Sequence, residues 1–251
     1  MKQNLNIAPE EVPDWTLVVP AYNEEERLGE SLPKIRAFIE SRGDERWEVI
    51  VVDDGSTDCT AAIVRDFWPE IRVLENEANR GKGFSVRRGL LEARGKRVLF
   101  SDADLSTPLE FVDPLSEHLD EGADVAIGSR ALPDSVIERH QVIWRESAGR
   151  FFNLLVRLVS GMPFHDTQCG FKAYKRSAAK RIAALQRLED WAFDVEQLRI
   201  ARLLDMRVDE VAVHWVNSPA TRIKILVDGP KMLLDILKIR MMRYDLKEDD
   251  K

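Results

Sequence analysis

Cysteine is nearly absent from this chain: two residues in 251, Cys59 and Cys169, far apart and in no CxxC spacing. That excludes a disulfide framework and a cysteine-built zinc site, and it fits free thiols in a reducing compartment. Long apolar runs are missing as well. No stretch approaches the roughly 18 uninterrupted apolar residues of a membrane-spanning helix. Residues 1–14 are polar and acidic, without the basic and apolar regions of a secretory signal. The expected location is cytoplasmic, with any membrane substrate met at the inner surface. Positive charge is in deficit, 37 Lys and Arg against 44 Asp and Glu, so a general nucleic-acid binder is not expected. Two nucleotide fingerprints are absent: no GxGxxG follows the first strand, and no GxxxxGK[ST] occurs. No serine elbow or cysteine setting makes a hydrolase of the neighbouring His165 and Asp166.

What is present is a rhythm. Buried-type strands are predicted at residues 15–20, 47–52, 71–74, 97–100 and 124–128. Between them apolar residues recur at helical spacing: Leu28, Leu32, Ile35 and Ile39, then Ala61, Ile63 and Val64, then Val86, Leu90 and Leu91. Strands alternating with helices imply an α/β fold, a mostly parallel sheet with helices on both faces. After Arg130 the rhythm changes to a charged loop or lid over 131–146. Helices follow over 147–160, 176–184 and 195–205, and a half-exposed strand over 208–216. The tail after 223 carries an apolar stripe (Ile225, Met232, Leu233, Ile236, Leu237, Ile239) with Lys224, Lys231, Lys238, Arg240 and Arg243 beside it. Such a helix suits a membrane surface, the core, or a second copy of the chain as a homodimer contact.

Through Arg130, each polar cluster falls where a strand ends, which is where open α/β sheets bind ligands. The most pointed is Asp102-Ala103-Asp104, two carboxylates one residue apart after Val98-Leu99-Phe100. They repel each other and lose hydration there, so they call for compensation. Mg²⁺ or Mn²⁺, bringing a substrate's phosphates, would supply it; a solvated turn is the alternative. Asp53-Asp54-Gly55-Ser56 can accept from ribose hydroxyls or a base N–H. Arg80-Gly81-Lys82-Gly83 is a basic loop able to cradle a base or phosphate. Arg130 and Arg145 are candidates for phosphate recognition. Asp194 and Glu196 could supply a general base or simply cap the following helix.

Taken in order, Val19-Pro20-Ala21-Tyr22-Asn23-Glu24, Asp53-Asp54-Gly55-Ser56-Thr57-Asp58, Asn79-Arg80-Gly81-Lys82-Gly83 and Asp102-Ala103-Asp104 resemble the family 2 inverting glycosyltransferases of GT-A fold. Asp166-Thr167-Gln168-Cys169-Gly170-Phe171-Lys172 and Trp191-Ala192-Phe193-Asp194-Val195-Glu196 look like the branch of dolichyl-phosphate β-glucosyltransferases and related polyprenyl-phosphate sugar synthases. The resemblance implies a GT-A (Rossmann-like) domain over 15–220, after a polar segment 1–14 and before an amphipathic basic helical tail over 221–251. It implies Pro20, Tyr22, Glu24, Asp53 and Lys82 around the donor nucleotide, Asp102 toward the ribose or sugar, and Asp104 on the metal. Arg130 and Arg145 would hold the acceptor phosphate, with Asp194 or Glu196 near the sugar. The implied reaction is metal-dependent hexose transfer from a nucleotide sugar, UDP-glucose, to a polyprenyl monophosphate. GDP-mannose or a soluble acceptor is the alternative, and a non-catalytic nucleotide-sugar-binding protein the more distant one. Two departures are visible. Ser106 stands where mannose synthases often carry a third, glutamine position, and Asn217-Ser218-Pro219-Ala220 replaces a Gly-Ser-Lys run after the late tryptophan.

Overall fold

The computed structural model describes residues 11–137, 156–157, 159–216 and 225–246, the side chains of 225–230 excepted. Arg145, most of the expected 131–146 lid and most of the 147–160 helix lie outside the described residues. The first half follows the predicted rhythm. Strands β1 (Trp15–Ala21), β2 (Trp47–Asp53), β3 (Arg72–Glu75), β4 (Arg97–Ser101) and β5 (Val125–Ser129) alternate with helices α1 (Glu25–Ser41), α2 (Thr60–Phe67), α3 (Lys82–Glu92) and α4 (Val112–Asp120). There follow β6 (Val136–Ile137), β7 (Phe171–Lys175), α5 (Arg176–Leu185), α6 (Phe193–Leu203), β8 (Val208–Ala212), β9 (His214–Trp215) and α7 (Ile225–Met241).

The main sheet has the order β3-β2-β1-β4-β7-β5-β8, and β6 pairs with β9 in a separate ribbon. All neighbours in the main sheet run parallel except β7, which is antiparallel to both β4 and β5. Every residue of β1 and β2 is buried, as expected of central parallel strands covered on both faces. One face packs Leu28, Leu32 and Ile35 of α1, Val64 of α2 and Leu115 of α4. The other packs Val86 and Leu90 of α3, Ile182 of α5, and Phe193 and Leu198 of α6. The expected 208–216 strand divides in two: β8, mostly half-buried, is an edge strand of the main sheet, and β9 leaves it to pair with β6.

Sequence reading does not anticipate β7. Lys172 and Lys175 interrupt its apolar run, so it lacks the buried-strand signature of the others. Its reversed direction matters for the site. An antiparallel strand begins at the edge where its neighbours end, so Asp166-Thr167-Gln168-Cys169-Gly170 enters beside Asp102. Both cysteines are free, Cys59 exposed and Cys169 buried.

Helix α7 uses its apolar stripe twice. Ile236 and Ile239 are buried with Val156, Ala192 and Val195, so one face packs on α6. Leu234, Leu237 and Met241 remain 60%, 44% and 75% exposed. Among the described residues, no helix is long and apolar enough to cross a membrane.

Candidate active site

The loops after β1 and β2 are tied together by short-range turn chemistry. Asp53 accepts from the Ser56 backbone N–H at 3.1 Å and from the Ser56 hydroxyl, closing the Gly55 turn. Asn23, at φ 50°, donates its N–H to Ser56 Oγ at 2.8 Å and accepts the Thr57 N–H at 2.7 Å. The Glu24 N–H donates to Thr60 Oγ1 at 2.8 Å, and its carboxylate pairs with Arg27 at 3.0 Å. Pro20 is buried at the end of β1, while Tyr22 and Glu24 are half-buried at the same sheet edge as Asp53. These four predicted donor-side residues are therefore neighbours by construction.

Asp54, which sequence reading did not single out from its neighbour, organises the next loop. It is buried and accepts from Asn76 Nδ2 at 2.7 Å, the Arg80 N–H at 3.1 Å and the Gly81 N–H at 2.7 Å. Gly81 has φ +105°, and a Cβ there would lie 2.5 Å from the Glu189 carbonyl oxygen. Only glycine fits both demands. The bent loop delivers Lys82 to the first residue of α3, with its ammonium 2.5 Å from Asp102 and near the Phe100 and Trp191 rings. Burial alone would lower the Lys82 pKa, but Asp102, Asp194 and Asp104 together outweigh it and raise the value. Lys82 stays a cation.

Asp102 and Asp104 leave the end of β4 as predicted, both half-buried. The Asp102 N–H donates to the Gly170 carbonyl at 3.1 Å, extending the β4–β7 ladder by one bond. A Cβ on Gly170 would sit 2.1 Å from Asp102 Oδ2. Asp104 accepts the Ser106 N–H at 3.0 Å across Leu105, which has φ 48°. The Ser106 carbonyl in turn accepts the Val216 N–H at 2.8 Å.

On the far side of the cleft, long-range ion pairs replace turn chemistry. Arg130 donates through Nε and Nη2 to both oxygens of Asp166, at 2.6 and 3.0 Å, and stacks over Trp215. Asp166 is 2% exposed; burial would raise its pKa, and the Arg130 guanidinium brings it below the ordinary carboxylate value. The predicted phosphate-binding arginine is thus held from behind, with Nη1 not engaged by Asp166. His165 does not pair with Asp166; its ring faces Glu210 at 2.9 Å. Asp194 lies in the first turn of α6 and accepts from Lys172 Nζ, a side chain that is 0% exposed. Burial, opposed by Lys172 and Lys82, raises the Asp194 pKa. Glu196 takes a different path. It accepts the Arg187 and Leu188 N–H groups at 2.9 and 2.7 Å and the Tyr244 hydroxyl at 2.9 Å, so it anchors a loop and the tail. Cys169 is buried beside Asp166, and burial pushes its thiol up to about 11.

Lys82, Arg130 and Lys172 face Asp102, Asp104, Asp166 and Asp194, three cations against four carboxylates. A diphosphate entering this edge meets no surplus positive charge from that set. Among the described residues no three His, Cys, Asp or Glu side chains gather into a metal cage. Two carboxylates with the remaining positions left to water and substrate phosphates are what Mg²⁺ typically uses, so the residues present fit such an ion.

A parallel sheet with one reversed strand and paired carboxylates at its ligand edge is the architecture of GT-A glycosyltransferases. Glucosyl-3-phosphoglycerate synthase from Mycobacterium tuberculosis, solved with Mn²⁺, uridine diphosphate and glucosyl-3-phosphoglycerate, superposes with a TM-score of 0.66. It is 22% identical, over 94% of this chain and 82% of that one. Mannosyl-3-phosphoglycerate synthase from Rubrobacter xylanophilus gives 0.66 at 20% identity, over 92% of this chain and 74% of that one. The chain belongs to glycosyl transferase family 2, whose profile matches residues 16–183. It is similar to dolichyl-phosphate β-glucosyltransferases: 38% identical to that of Drosophila melanogaster over 92% of this chain and 75% of the relative. Against that of Homo sapiens it is 34% identical, over 91% and 75% respectively.

Proposed function

We propose that this protein transfers glucose from UDP-glucose to a polyprenyl monophosphate, dolichyl phosphate being the type of acceptor, with inversion at the anomeric carbon. The observation that carries it is the 38% identity to a dolichyl-phosphate β-glucosyltransferase along nearly the whole chain, joined to the strand-end constellation of Lys82, Asp102, Asp104, Arg130 and Asp194.

The acceptor's phosphate oxygen is already an anion at neutral pH. Its attack forms the new C–O bond as the bond to the nucleoside diphosphate breaks, the diphosphate leaving with the electron pair. No proton has to be removed, so the chain's task is orientation and charge. Tyr22, Glu24 and Asp53 surround the nucleoside, and Lys82 anchors Asp102 against the ribose or sugar. Asp104, with Asp102, would hold Mg²⁺ or Mn²⁺. Bound there, the ion acts as a Lewis acid on the departing diphosphate. Arg130, braced by Asp166, turns toward the acceptor phosphate, and Arg145 is assigned the same role. Asp194 accepts hydrogen bonds from sugar hydroxyls. A soluble alcohol as acceptor would instead require Asp194 as base.

The open face of α7, with exposed Leu234, Leu237 and Met241 and the basic Lys231, Lys238 and Arg240, is proposed to rest on the membrane surface that holds the acceptor. The decisive experiment is a screen of labelled UDP-glucose, UDP-galactose and GDP-mannose with Mg²⁺ or Mn²⁺, against polyprenyl phosphate and soluble alcohols. Glucolipid phosphate formed from UDP-glucose alone is expected. Preferential transfer to a soluble alcohol would replace the proposed acceptor.

A further inference from the structure

Strand β7 and helix α6 meet through a polar seam inside an otherwise apolar layer. On β7, alternate residues share a face, and Lys172 and Tyr174 both point away from Phe171 and Ala173. On α6, residues three apart share a face, and Asp194 and Gln197 both turn to the sheet. The two periodicities register. Lys172 Nζ bonds Asp194, and the Tyr174 hydroxyl donates to Gln197 at 2.8 Å. Gln197 passes the contact on to Gln186 at 2.8 Å, which donates to the Gly83 carbonyl at 2.9 Å.

The seam is graded. Its neutral pair lies deeper in the sheet, where Tyr174 is the partner of Val98 and Val125. Its charged pair lies at the ligand edge, where Lys172 is the partner of Phe100 and Ile127, two residues from Gly170 and its bond to Asp102. Lys172 is wholly buried, with its ammonium near the rings of Phe100 and Phe193. Taking an ammonium and a carboxylate out of water costs more than packing two apolar side chains of that size, so stability alone does not call for this pair. The neutral seam behind it already joins helix to sheet.

We infer that Lys172 is a positioning residue for glycosyl transfer: by ion-pairing with Asp194 from inside the sheet, it aims that carboxylate at the donor sugar. Lys82 also lies near the Phe100 ring, paired with Asp102, and both lysines act on Asp194. The edge therefore carries an alternating row, Asp102, Lys82, Asp194 and Lys172, in which each carboxylate is restrained by a cation anchored in secondary structure. Lys172 touches no substrate and acts only through Asp194.

The assignment rests on the glucosyl transfer proposed above, and its test separates the two. Lys172→Met keeps length and packs beside Phe100 and Phe193; Asp194→Asn and the double variant complete a cycle. Each protein is measured for kcat and donor KM with UDP-glucose, Mg²⁺ and polyprenyl phosphate, and for Tm. Both single variants should lose about 100-fold in kcat, with donor KM within about twofold of wild type. The double variant should be no slower than Asp194→Asn alone, and its Tm should recover above that of Lys172→Met, because no charge is left unpaired. A Lys172→Met enzyme with near wild-type kcat, or two losses that multiply in the double variant, overturns the inference. A wild-type protein that transfers nothing defeats the functional proposal instead. The melting cycle still decides then: failure of the double variant to recover Tm shows that the two groups do not act as a pair.

Discussion

The two sides of the ligand edge differ in how their carboxylates are held. On one side, Asp53 and Asp104 accept backbone N–H groups from Ser56 and Ser106 in their own turns, while Asp54 accepts those of Arg80 and Gly81 from the following loop, 26 and 27 residues away. On the other side, carboxylates are satisfied by cations from distant elements. Arg130 meets Asp166 across 36 residues and Lys172 meets Asp194 across 22. Turn-closed carboxylates keep their second oxygens and their charge available to a ligand. Ion-paired ones lose net charge but gain a fixed direction. The first arrangement suits holding a cation and a nucleotide; the second suits aiming at a lipid phosphate and a sugar.

The comparison breaks most visibly at Asp104. Asp104→Ala is expected to lose about 1000-fold or more in metal-dependent transfer, with Tm nearly unchanged because only the Ser106 contact is lost. Transfer by this variant that persists undiminished in EDTA would show the turn to be a solvated loop. Next comes Gly170→Ala. Its Cβ forces the Asp102 carboxylate off its position beside Lys82, so donor turnover should fall about 10- to 100-fold without unfolding. Equal donor affinity by calorimetry would mean that Asp102 does not face the donor.

Asp166→Asn tests the ion-paired side. Removing one partner of a buried pair costs about 3 kcal/mol, and acceptor KM should rise while donor KM holds. The pH dependence has a definite sign. Folding depresses the Asp166 pKa, so its stabilisation is present above the unfolded value, about 4, and is lost as pH falls through the folded one. The Tm gap between variant and wild type should therefore be full at neutral pH and close only in acid. A gap that persists below both values would deny the ion pair its role. The smallest change in folding is expected from Leu234→Glu with Met241→Glu, both exposed, at within about 0.5 kcal/mol. Co-sedimentation with vesicles of phosphatidylcholine and phosphatidylglycerol should nevertheless drop. Undiminished sedimentation would remove the membrane role from α7.

The same contrast explains what could be read in advance. Asp53, Asp102, Asp104 and the Lys82 loop lie next to apolar strand patterns, and a strand end places its neighbours at the ligand edge whatever the rest of the chain does. Asp54 escaped because its neighbour offers the same chemistry and only the contacts of Asn76, Arg80 and Gly81 tell them apart. Glu196 looked equivalent to Asp194, two positions away. On a helix two positions is more than half a turn, so one carboxylate faces the sheet and the other the 186–188 loop and Tyr244. Lys172 did leave a trace, a lone cation inside Phe171-Lys172-Ala173-Tyr174, but a charge in an apolar run does not name its partner.

Local sequence determined the alternation of strand and helix, the buried central strands and the positions of the strand-end carboxylates, because periodicity and turn chemistry act over a few residues. Tertiary structure alone decided that β7 runs backward between β4 and β5, that Gly170 meets Asp102, and that Arg130 and Lys172 find Asp166 and Asp194. Those are pairings between elements far apart in the chain. They are selected by which buried charges and exposed strand edges the whole fold must satisfy, and no window of neighbouring residues contains that condition.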